Sequence, residues 1–391
     1  MTQLNRRAFL KTSALSATGA LFLRPSPPLP PGPLGTATTP LIKRKLGRTG
    51  LVLPVVSFGV MRSDNPGLVR AALKAGVVHL DTAHGYQRGN NEEMLGRLLK
   101  DSPRESFVIA TKIPPEGKEN ILVKLELSLQ RLRMDYVDIL YLHGVSSRDT
   151  VLSVEIMETL KEVKASGKVH FLGVSTHKNE PEVIQAAVDS GLYDVILTAI
   201  NFRQDHQSEV RRAIATAGKA GIGIVAMKTM AGAFFDKDRK EPINCRAALK
   251  WVLQDENITT AIPGITSFDH LTENLGVAAD LTLTDKEKSE LRLGQIQGGL
   301  YCNGCSRCVG TCERSLPIPE MMRAYMYAYG YGSARMAKEL VARAGINASP
   351  CVGCHTCTVS CPKGFAVRER IADVARLQSM PEEFLSGVEF A

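Results

Sequence analysis

Eight of the nine cysteines in this sequence form two runs of the same shape near its carboxyl terminus. The first run is Cys302, Cys305, Cys308 and Cys312, and the second is Cys351, Cys354, Cys357 and Cys361. A cluster of four irons needs four soft thiolates around one small object, and closely spaced cysteines on a tight loop supply three of them. Paired zinc sites and four disulfides are the alternatives, but zinc sites are usually built from separated C-x2-C pairs. The spacing therefore favours iron–sulfur clusters.

The second run, C-x2-C-x2-C-x3-C followed at once by Pro362, resembles the cysteine pattern of bacterial ferredoxins. In those proteins the last cysteine of each run binds the cluster of the other run. The resemblance therefore implies two 4Fe–4S clusters with crossed ligands. One would be held by Cys302, Cys305, Cys308 and Cys361, and the other by Cys351, Cys354, Cys357 and Cys312.

A helical stretch separates the two runs. It covers residues 321–344 within the 38 residues between the runs, and Gly330 and Gly332 interrupt it, so we expect two helices. Alternating tyrosines in this stretch could shield a cluster or cover a neighbouring domain. A compact bacterial ferredoxin has short strands at this place, and the longer insert resembles an α-helical ferredoxin. We predict a mostly helical, ferredoxin-like dicluster domain over residues 295–391.

The residues before this domain predict a scaffold of alternating strands and helices. Short β-branched runs alternate with amphipathic helical segments over residues 41–290. The strand candidates are 55–58, 78–81, 107–112, 136–143, 171–175, 195–201, 222–228 and 259–263. Eight β/α units in about 240 residues match the size of a TIM barrel. A doubly wound sheet is the alternative, but it predicts a Gly-rich loop after the first strand, and residues 57–61 (SFGVM) are not one. The expected fold class is α/β, a (β/α)8 barrel followed by the cluster domain.

Polar residues end three consecutive strands of the predicted barrel. Asp81 and Lys112 end the second and third strands, and His143 ends the fourth. Tyr86 lies five residues beyond Asp81, in the loop above the same rim. Active sites of TIM barrels lie at this rim, where consecutive strand ends are neighbours, so the four side chains can meet. Each residue alone has a purely structural explanation, but the set of four points to catalysis.

These four residues together can protonate a carbonyl oxygen. A free tyrosine has a pKa near 10 and is a poor acid at neutral pH. A neighbouring ammonium, Lys112, would lower the pKa of Tyr86, and Asp81 would keep that ammonium charged and in place. His143 can donate a hydrogen bond that orients the carbonyl oxygen. We expect this set to deliver a proton to the oxygen as hydride reaches the carbonyl carbon.

Several segments around these residues resemble the aldo-keto reductase family. They are RKLGRTGL at 44–51, DTA-x-x-Y at 81–86, EEMLG at 92–96, ATK at 110–112 and LH at 142–143. The resemblance covers nearly the whole barrel. It implies that Asp81, Tyr86, Lys112 and His143 are a catalytic tetrad and that NADPH supplies hydride. The cysteine domain and the segment GVSTH at 173–177 resemble the ferredoxin-bearing branch of this family.

The same resemblance places a nicotinamide cofactor along the rim. Ser175 stands where the family binds the carboxamide, and the other implied cofactor residues are Thr176, Asn201, Lys228, Gly264, Thr266 and Asn274. The pattern departs from the family at several of these places, because Gly264, Ile265 and His270 replace the usual Lys, Ser and Arg. A 2′-phosphate prefers bidentate or charge-assisted donors, which these residues supply poorly. The sequence therefore leaves NADP and NAD both open.

The amino terminus resembles an export signal. Residues 5–11, NRRAFLK, precede a short apolar segment and then a Pro-rich tract. The paired arginines resemble a twin-arginine (Tat) signal. We predict a signal peptide and linker over residues 1–37 and export to the periplasm by the Tat machinery, with a disordered basic tail as the alternative. The apolar segment is too short for a permanent membrane span.

The positive charge of the chain does not indicate nucleic acid binding. The net charge is +8, and residues 1–50 contain eight Lys and Arg but no Asp or Glu, which accounts for the whole excess. The remainder is balanced and predicts no basic face for phosphates. The expected partners are a small carbonyl or alcohol substrate and a redox protein.

Three functions are compatible with these features. The first is an NAD(P)H-linked carbonyl reductase that carries two clusters. In the second, the clusters supply or accept the electrons of an exported enzyme, and a flavin or bound nicotinamide couples their one-electron steps to a two-electron reaction. The third is an electron carrier whose barrel is only a scaffold.

Overall fold

The fold is described from a computed structural model, over residues 40–295, 298–354 and 357–385. This part of the chain forms one compact unit. The predicted signal peptide and linker at 1–37 lie outside the described residues. Within those ranges, no helix combines the length and the apolar character that crossing a bilayer requires. The limits 41–290 and 295–391 for two domains stay predictions.

Eight parallel strands form the centre of the described chain. They are β3 (Phe58–Gly59), β4 (His79–Asp81), β5 (Val108–Ile113), β6 (Val137–Leu142), β7 (Val169–Thr176), β8 (Val195–Ala199), β9 (Gly223–Met227) and β10 (Ile258–Ala261). Each strand pairs with the next one along the chain. Parallel bridges from Val56 to Ala261 and from Gly59 to Gly264 join the first strand to the last, and Ser57 N–H donates to the Ala261 carbonyl at 2.8 Å. The predicted TIM barrel is confirmed.

All eight strands lie where the sequence places them, with small differences at their ends. The largest difference is in the first strand, predicted at 55–58 and observed at Phe58–Gly59. Val55 and Val56 still contact the last strand, because Ala261 N–H donates to the Val55 carbonyl at 2.9 Å and Val56 makes an isolated bridge. These residues therefore close the barrel without belonging to a regular ladder.

Helices surround the barrel. They are α1 (Pro66–Lys74), α2 (Asn90–Leu99), α3 (Lys118–Leu132), α4 (Arg148–Val151), α5 (Val154–Ala165), α6 (Glu180–Ser190), α7 (Gln207–Lys219), α8 (Cys245–Leu253), α9 (Phe268–Ala279) and α10 (Asp285–Glu290). Helix α3 shows why they pack on the strands, since Ile121, Leu125 and Leu129 recur every four residues and are buried. This helical spacing produces one apolar face against the sheet.

An amino-terminal hairpin closes the bottom of the barrel, a feature that the sequence did not predict. Strands β1 (Lys43–Lys45) and β2 (Val52–Pro54) pair antiparallel. Leu46 and Leu53 from this hairpin pack with inward residues of the barrel and are fully buried. Gly47 has φ +50°, and a Cβ there would lie 2.3 Å from the Gly223 nitrogen, so only glycine permits this approach. The site must therefore open at the other end.

The described part of the cysteine segment contributes three α-helices and a π-helical turn. They are α11 (Ile318–Tyr325), the turn Met326–Gly330, α12 (Ala334–Arg343) and α13 (Val367–Ala375). The predicted pair of helices broken near Gly330 and Gly332 is confirmed by α11 and α12. A Cβ on Gly330 would lie 2.6 Å from the carbonyl oxygen of Gly232, which follows β9. The π-helical turn therefore packs directly on the rim of the barrel.

Candidate functional site

Asp81 and Lys112 form a buried ion pair at the rim. They stand on adjacent strands, β4 and β5, whose carboxyl ends meet there. The Lys112 ammonium donates to the Asp81 carboxylate and to the Thr82 carbonyl, the latter at 2.6 Å. The side chains of Lys112 and Asp81 are only 1% and 2% exposed, so the pair is shielded from water. A pair this buried holds the ammonium in one place.

Tyr86 and His143 meet this pair from above. The Lys112 Nζ lies 4.8 Å from the centre of the Tyr86 ring. The rings of Tyr86 and His143 meet edge to face, with centres 5.9 Å apart and planes at 80°. The structure therefore brings all four predicted tetrad residues together. The roles of the four residues remain predictions.

The loop that presents Tyr86 has an unusual backbone. Gln87 and Arg88 follow it with φ of 50° and 57°, in the left-handed region that non-glycine residues rarely occupy. Such strain is often found at functional sites, where surrounding packing maintains it. Here the left-handed residues turn the chain immediately after Tyr86, so the ring stays over Lys112.

The pair keeps Lys112 protonated. Burial alone would lower the pKa of Lys112, but the charge of Asp81, and then that of Tyr86, more than offset this effect and raise it. Burial raises the pKa of Asp81, and the ammonium of Lys112 acts against that rise. Lys112 is therefore a cation throughout the physiological range.

The expectation of a lowered Tyr86 pKa is wrong for this structure. Burial raises the pKa of Tyr86 and outweighs the charge and hydrogen bond of Lys112, which act in the predicted direction. Asp81 and Tyr327 add smaller rises. The sequence identified Lys112 as a neighbour of Tyr86. It did not show that burial of the phenol would change the pKa more than the charge of Lys112 does. Tyr86 therefore carries its proton at neutral pH.

His143 is a neutral imidazole. Burial, followed by the charges of Lys112 and Arg323, lowers its pKa to about 3. A neutral imidazole has one N–H donor, which suits a hydrogen bond to a carbonyl oxygen. A neutral His143 is compatible with the orienting role predicted for it. With a pKa of about 3, the imidazole stays unprotonated between pH 5 and 8.

The predicted nicotinamide residues lie along the same rim. Ser175, at the end of β7, accepts a hydrogen bond from Gly144 N–H at 2.9 Å, and its own hydroxyl proton is left to donate. Thr176 instead donates to the Lys178 carbonyl at 2.9 Å. The amide of Asn201 donates to the Lys228 carbonyl at 3.1 Å. Ser175 thus fits a carboxamide ligand, whereas Thr176 and Asn201 bind neighbouring backbone.

The predicted adenosine side offers neutral donors. Thr266 and His270 hydrogen-bond each other at 3.1 Å, while Asn274 is buried on α9. Nothing lies within 4 Å of a Cβ built on Gly264. The amino terminus of α9 also faces this side of the rim, and such helix ends bind phosphates. A dinucleotide fits these residues, although no Lys or Arg occupies the positions that usually grip a 2′-phosphate.

The eight cysteines separate into two groups of four, and none of the nine cysteines forms a disulfide. The charges of Cys305, Cys308 and Cys361 act on Cys302, so these four thiols are neighbours. Cys312, Cys351, Cys354 and Cys357 line one common pocket. Each group thus takes three cysteines from one run and one from the other. This is the grouping that crossed ligation would require. The ligand sets and the number of clusters stay predictions, because among the described residues no three such side chains lie close enough together to hold a metal ion as they stand.

Crossed ligation predicts which cysteine variants share a defect. We expect Cys361→Ser to alter the same electron paramagnetic resonance (EPR) signal as Cys302→Ser, because both lose a thiolate of one cluster. Cys312→Ser should alter the signal that Cys351→Ser alters. Cys245→Ser, away from both groups at the start of α8, serves as the control and should leave both signals intact. Matching spectra for Cys361→Ser and Cys351→Ser would contradict crossed ligation.

The first cysteine group lies beside the rim of the barrel. One pocket is lined by His177, Lys228, Cys302 and Arg323, of which His177 and Lys228 belong to the barrel. Arg323, on α11, bonds His177 and pairs with Glu320. Sequence reasoning missed Arg323 and Tyr327 as neighbours of the tetrad. Their spacing of four residues on one helical face was readable, but nothing showed that this face packs on the rim.

Known proteins match both parts of the chain. Residues 59–247 match the model of the aldo/keto reductase family, and residues 301–366 match a 4Fe-4S dicluster domain. The protein is thus an oxidoreductase with an aldo/keto reductase domain followed by a 4Fe-4S dicluster domain.

Individual relatives and structures agree with this class. A probable aldo-keto reductase of Glycine max is 26% identical over 66% of this chain and 92% of its own length. Methylglyoxal reductase DkgB of Escherichia coli O157:H7 is 29% identical over 62% and 92%, respectively. A solved Bacillus halodurans aldo-keto reductase in its holo form has a TM-score of 0.56 at 22% identity, covering 64% of this chain and 95% of that one. A Klebsiella pneumoniae aldo-keto reductase in complex with NADPH gives 0.53 at 22%, covering 64% and 94%. The structural matches show that the fold is shared.

Proposed function

We propose that the barrel transfers hydride between a nicotinamide cofactor and a small carbonyl or alcohol, with Tyr86 as the acid and base. The observation that carries this proposal is the Lys112 ammonium, fixed by Asp81 and held 4.8 Å from the centre of the Tyr86 ring. Burial raises the pKa of Tyr86, and the fixed buried cation limits that rise by stabilising the phenolate that forms when the proton is transferred. His143 completes a set that acts on one oxygen atom.

The residues of this set have different roles in the reduction of a carbonyl. When bound, NADPH or NADH supplies hydride to the carbonyl carbon. Tyr86 gives its proton to the carbonyl oxygen, and the Lys112 ammonium stabilises the phenolate that remains. Neutral His143 donates a hydrogen bond to the same oxygen and orients it. In alcohol oxidation the Tyr86 phenolate takes the hydroxyl proton instead.

Neutral groups on the adenosine side support use of either dinucleotide. The Klebsiella pneumoniae relative is in complex with NADPH, which supports a nicotinamide cofactor here. At the corresponding rim of this chain, Gly264 and Thr266 offer no charge to a 2′-phosphate. We propose that NADPH and NADH are used with similar efficiency.

Adding one positive charge on the adenosine side should create a preference for NADPH over NADH. In Gly264→Lys, the side chain enters open space, and its ammonium can bind the 2′-phosphate. A hydrogen bond to a charged group contributes about 1.5–3 kcal/mol, so we expect the kcat/KM ratio of NADPH to NADH to rise about tenfold or more. Val123→Lys adds the same charge at an exposed position on α3 and should leave the ratio unchanged. An unchanged ratio in Gly264→Lys would contradict this placement of the adenosine phosphate.

A second function is favoured by the place of the first cysteine group. Cys302 lines the same pocket as His177 and Lys228, next to the tetrad. We propose as the alternative that a cluster there exchanges electrons with the barrel site. Because a cluster moves one electron and carbonyl reduction needs two, a flavin or bound nicotinamide would have to couple them.

Anaerobic cofactor titration distinguishes the two functions. Purified holoprotein is titrated with NADPH and with NADH, and the cofactor is then oxidised with methylglyoxal as a probe carbonyl. Tight binding of either dinucleotide and its oxidation on carbonyl addition support the first function. Absence of binding, together with carbonyl reduction by protein whose clusters were reduced chemically, supports the alternative.

We further propose that the chain is exported through the Tat pathway after folding. The Arg6-Arg7 pair supports this proposal, and so do cysteine groups suited to clusters, which are assembled in the reducing cytosol. Fractionation of cells that express the full chain tests it. The Arg6→Lys/Arg7→Lys double variant should accumulate in the cytoplasm, whereas an unchanged distribution of both proteins argues against Tat export.

A further inference from the structure

Four basic side chains surround the first cysteine group. The charge of Cys302 acts on each of them: Lys228, Arg323, Lys363 and Arg370. Lys363 and Arg370 also feel the charge of Cys361, the ligand predicted to come from the second run. We call these four residues the cationic shell. It combines one residue of the barrel with three of the cysteine segment.

Two members of the shell are bonded to neutral carbonyls. The Lys363 ammonium donates to the Arg203 carbonyl at 2.9 Å, and its residue is only 5% exposed. Arg370 donates to the Gly299 carbonyl at 2.8 Å and stacks 3.8 Å from the centre of the Phe365 ring. Among the described residues, the other terminal nitrogen of Arg370 is buried and has no hydrogen-bond partner. Burying such cations is costly unless an anion compensates them.

The anion that fits this place is a cluster with its four thiolates. The negative charge of the thiolates exceeds the positive charge of an iron–sulfur core, so the assembly is anionic and becomes more so on reduction. Nearby cations therefore favour the reduced form. The backbone N–H of Gly304, which donates to Cys302 Sγ at 3.4 Å, acts in the same direction.

The charged side chains near the second cysteine group are exposed to solvent. Arg368 is the basic group whose charge acts on Cys351, and its side chain is exposed. Arg314 also lines this pocket and is exposed, beside the exposed carboxylate of Glu313. Water and salt screen exposed charges far more than buried ones. The two groups therefore differ in how strongly the protein stabilises added negative charge.

Burial and buried cations act on the first cluster in opposite directions. Removal of water disfavours an extra electron, whereas each cation inside a medium of low dielectric constant favours it. Three members of the cationic shell are near a carboxylate, because Glu320 pairs with Arg323 and the charges of Glu180 and Asp205 act on Lys228 and Lys363. Burial also lowers the pKa of Lys228 to about 7 and that of Lys363 to about 8. Arg370, whose buried terminal nitrogen has no hydrogen-bond partner among the described residues, is therefore the main source of uncompensated positive charge. The buried guanidinium of Arg370 therefore favours reduction of the cluster beside the barrel.

We infer that the cationic shell holds the cluster of Cys302, Cys305, Cys308 and Cys361 at a more positive reduction potential than the other cluster. This inference rests on the proposal that both cysteine groups bind clusters. An electron shared between the two clusters then resides mostly on the one beside the tetrad.

A redox titration of the anaerobic holoprotein, followed by EPR spectroscopy, tests the inference without substrate or nicotinamide. We expect two midpoints in the unaltered protein. Arg370→Gln should shift the more positive midpoint to a more negative value and leave the other in place. Arg370→Lys, which retains the charge, should restore most of the shift. Arg368→Gln is the matched control at the second group and should leave the more positive midpoint unchanged.

The results that would contradict the inference can be told apart from one another. A shift of only the more negative midpoint in Arg370→Gln would show that the first cluster is not the more positive one. No shift, a positive shift, or equal shifts of both midpoints would overturn the role of the shell. Iron and sulfide counts verify that each variant contains its clusters. If Arg370→Gln does not bind them, the same two midpoints are measured in Lys363→Met. A count that allows only one cluster in the unaltered protein would refute the underlying two-cluster proposal instead.

Discussion

Replacement of Tyr86 by phenylalanine should abolish nearly all carbonyl reduction. The variant keeps the ring above Lys112 and loses only the hydroxyl that donates the proton. A positioned general acid contributes a factor of about 100 to 10,000, so kcat should fall by that amount while cluster content is unchanged. The measurement is the rate of NADPH or NADH oxidation with a panel of small aldehydes and ketones.

Tyr136→Phe provides the matched control for this experiment. It makes the same chemical change just before β6, at the opposite end of the barrel, where Tyr136 stacks on His170. Its kcat should equal that of the unaltered protein. Retention of full activity by Tyr86→Phe would remove Tyr86 from the reaction and with it the proposed proton transfer.

Lys112→Met should damage both stability and activity. The change leaves the Asp81 carboxylate buried without its cation, and breaking a buried pair from one side costs about 3–5 kcal/mol. We expect the apparent melting temperature of the anaerobic holoprotein to fall by roughly 6 °C or more. Turnover should fall as well, because the phenolate of Tyr86 loses its stabilising charge.

A double variant separates these two effects. Asp81→Leu/Lys112→Met removes both charges, and replacing a whole buried pair with apolar residues is often neutral for stability. The melting temperature should recover while activity stays lost. Arg97→Met, which breaks the exposed pair with Glu93, is the control and should cost at most about 1 kcal/mol. Recovered activity in the double variant would show that the pair is structural rather than functional.

The barrel was predictable from the sequence because its signals are local. Each strand is a short β-branched run, and helices such as α3 repeat apolar residues at a spacing that buries one face. The amino-terminal hairpin was not predicted, because its strands have three residues each and its stability comes from Leu46 and Leu53 inside the barrel. That contact is visible only once the barrel is closed.

The site was predictable only in part. Asp81, Lys112 and His143 could be brought together because ends of consecutive parallel strands are neighbours. The approach of Arg323 and Tyr327 could not, because it depends on how α11 and the π-helical turn pack on the rim. The pKa of Tyr86 also depended on burial, which outweighs the charge of Lys112. Long-range packing and desolvation are the two quantities that the linear pattern does not contain.

The most direct test of hydride transfer uses NADPH or NADH deuterated at the reactive C4 position. The holoprotein reduces methylglyoxal, or another carbonyl from the panel that it accepts, anaerobically in ordinary water, and the product is analysed by mass spectrometry and NMR. We predict one deuterium on the new carbinol carbon for each cofactor oxidised. A product that carries hydrogen from solvent at that carbon, formed while the clusters are oxidised, would contradict direct hydride transfer at this site.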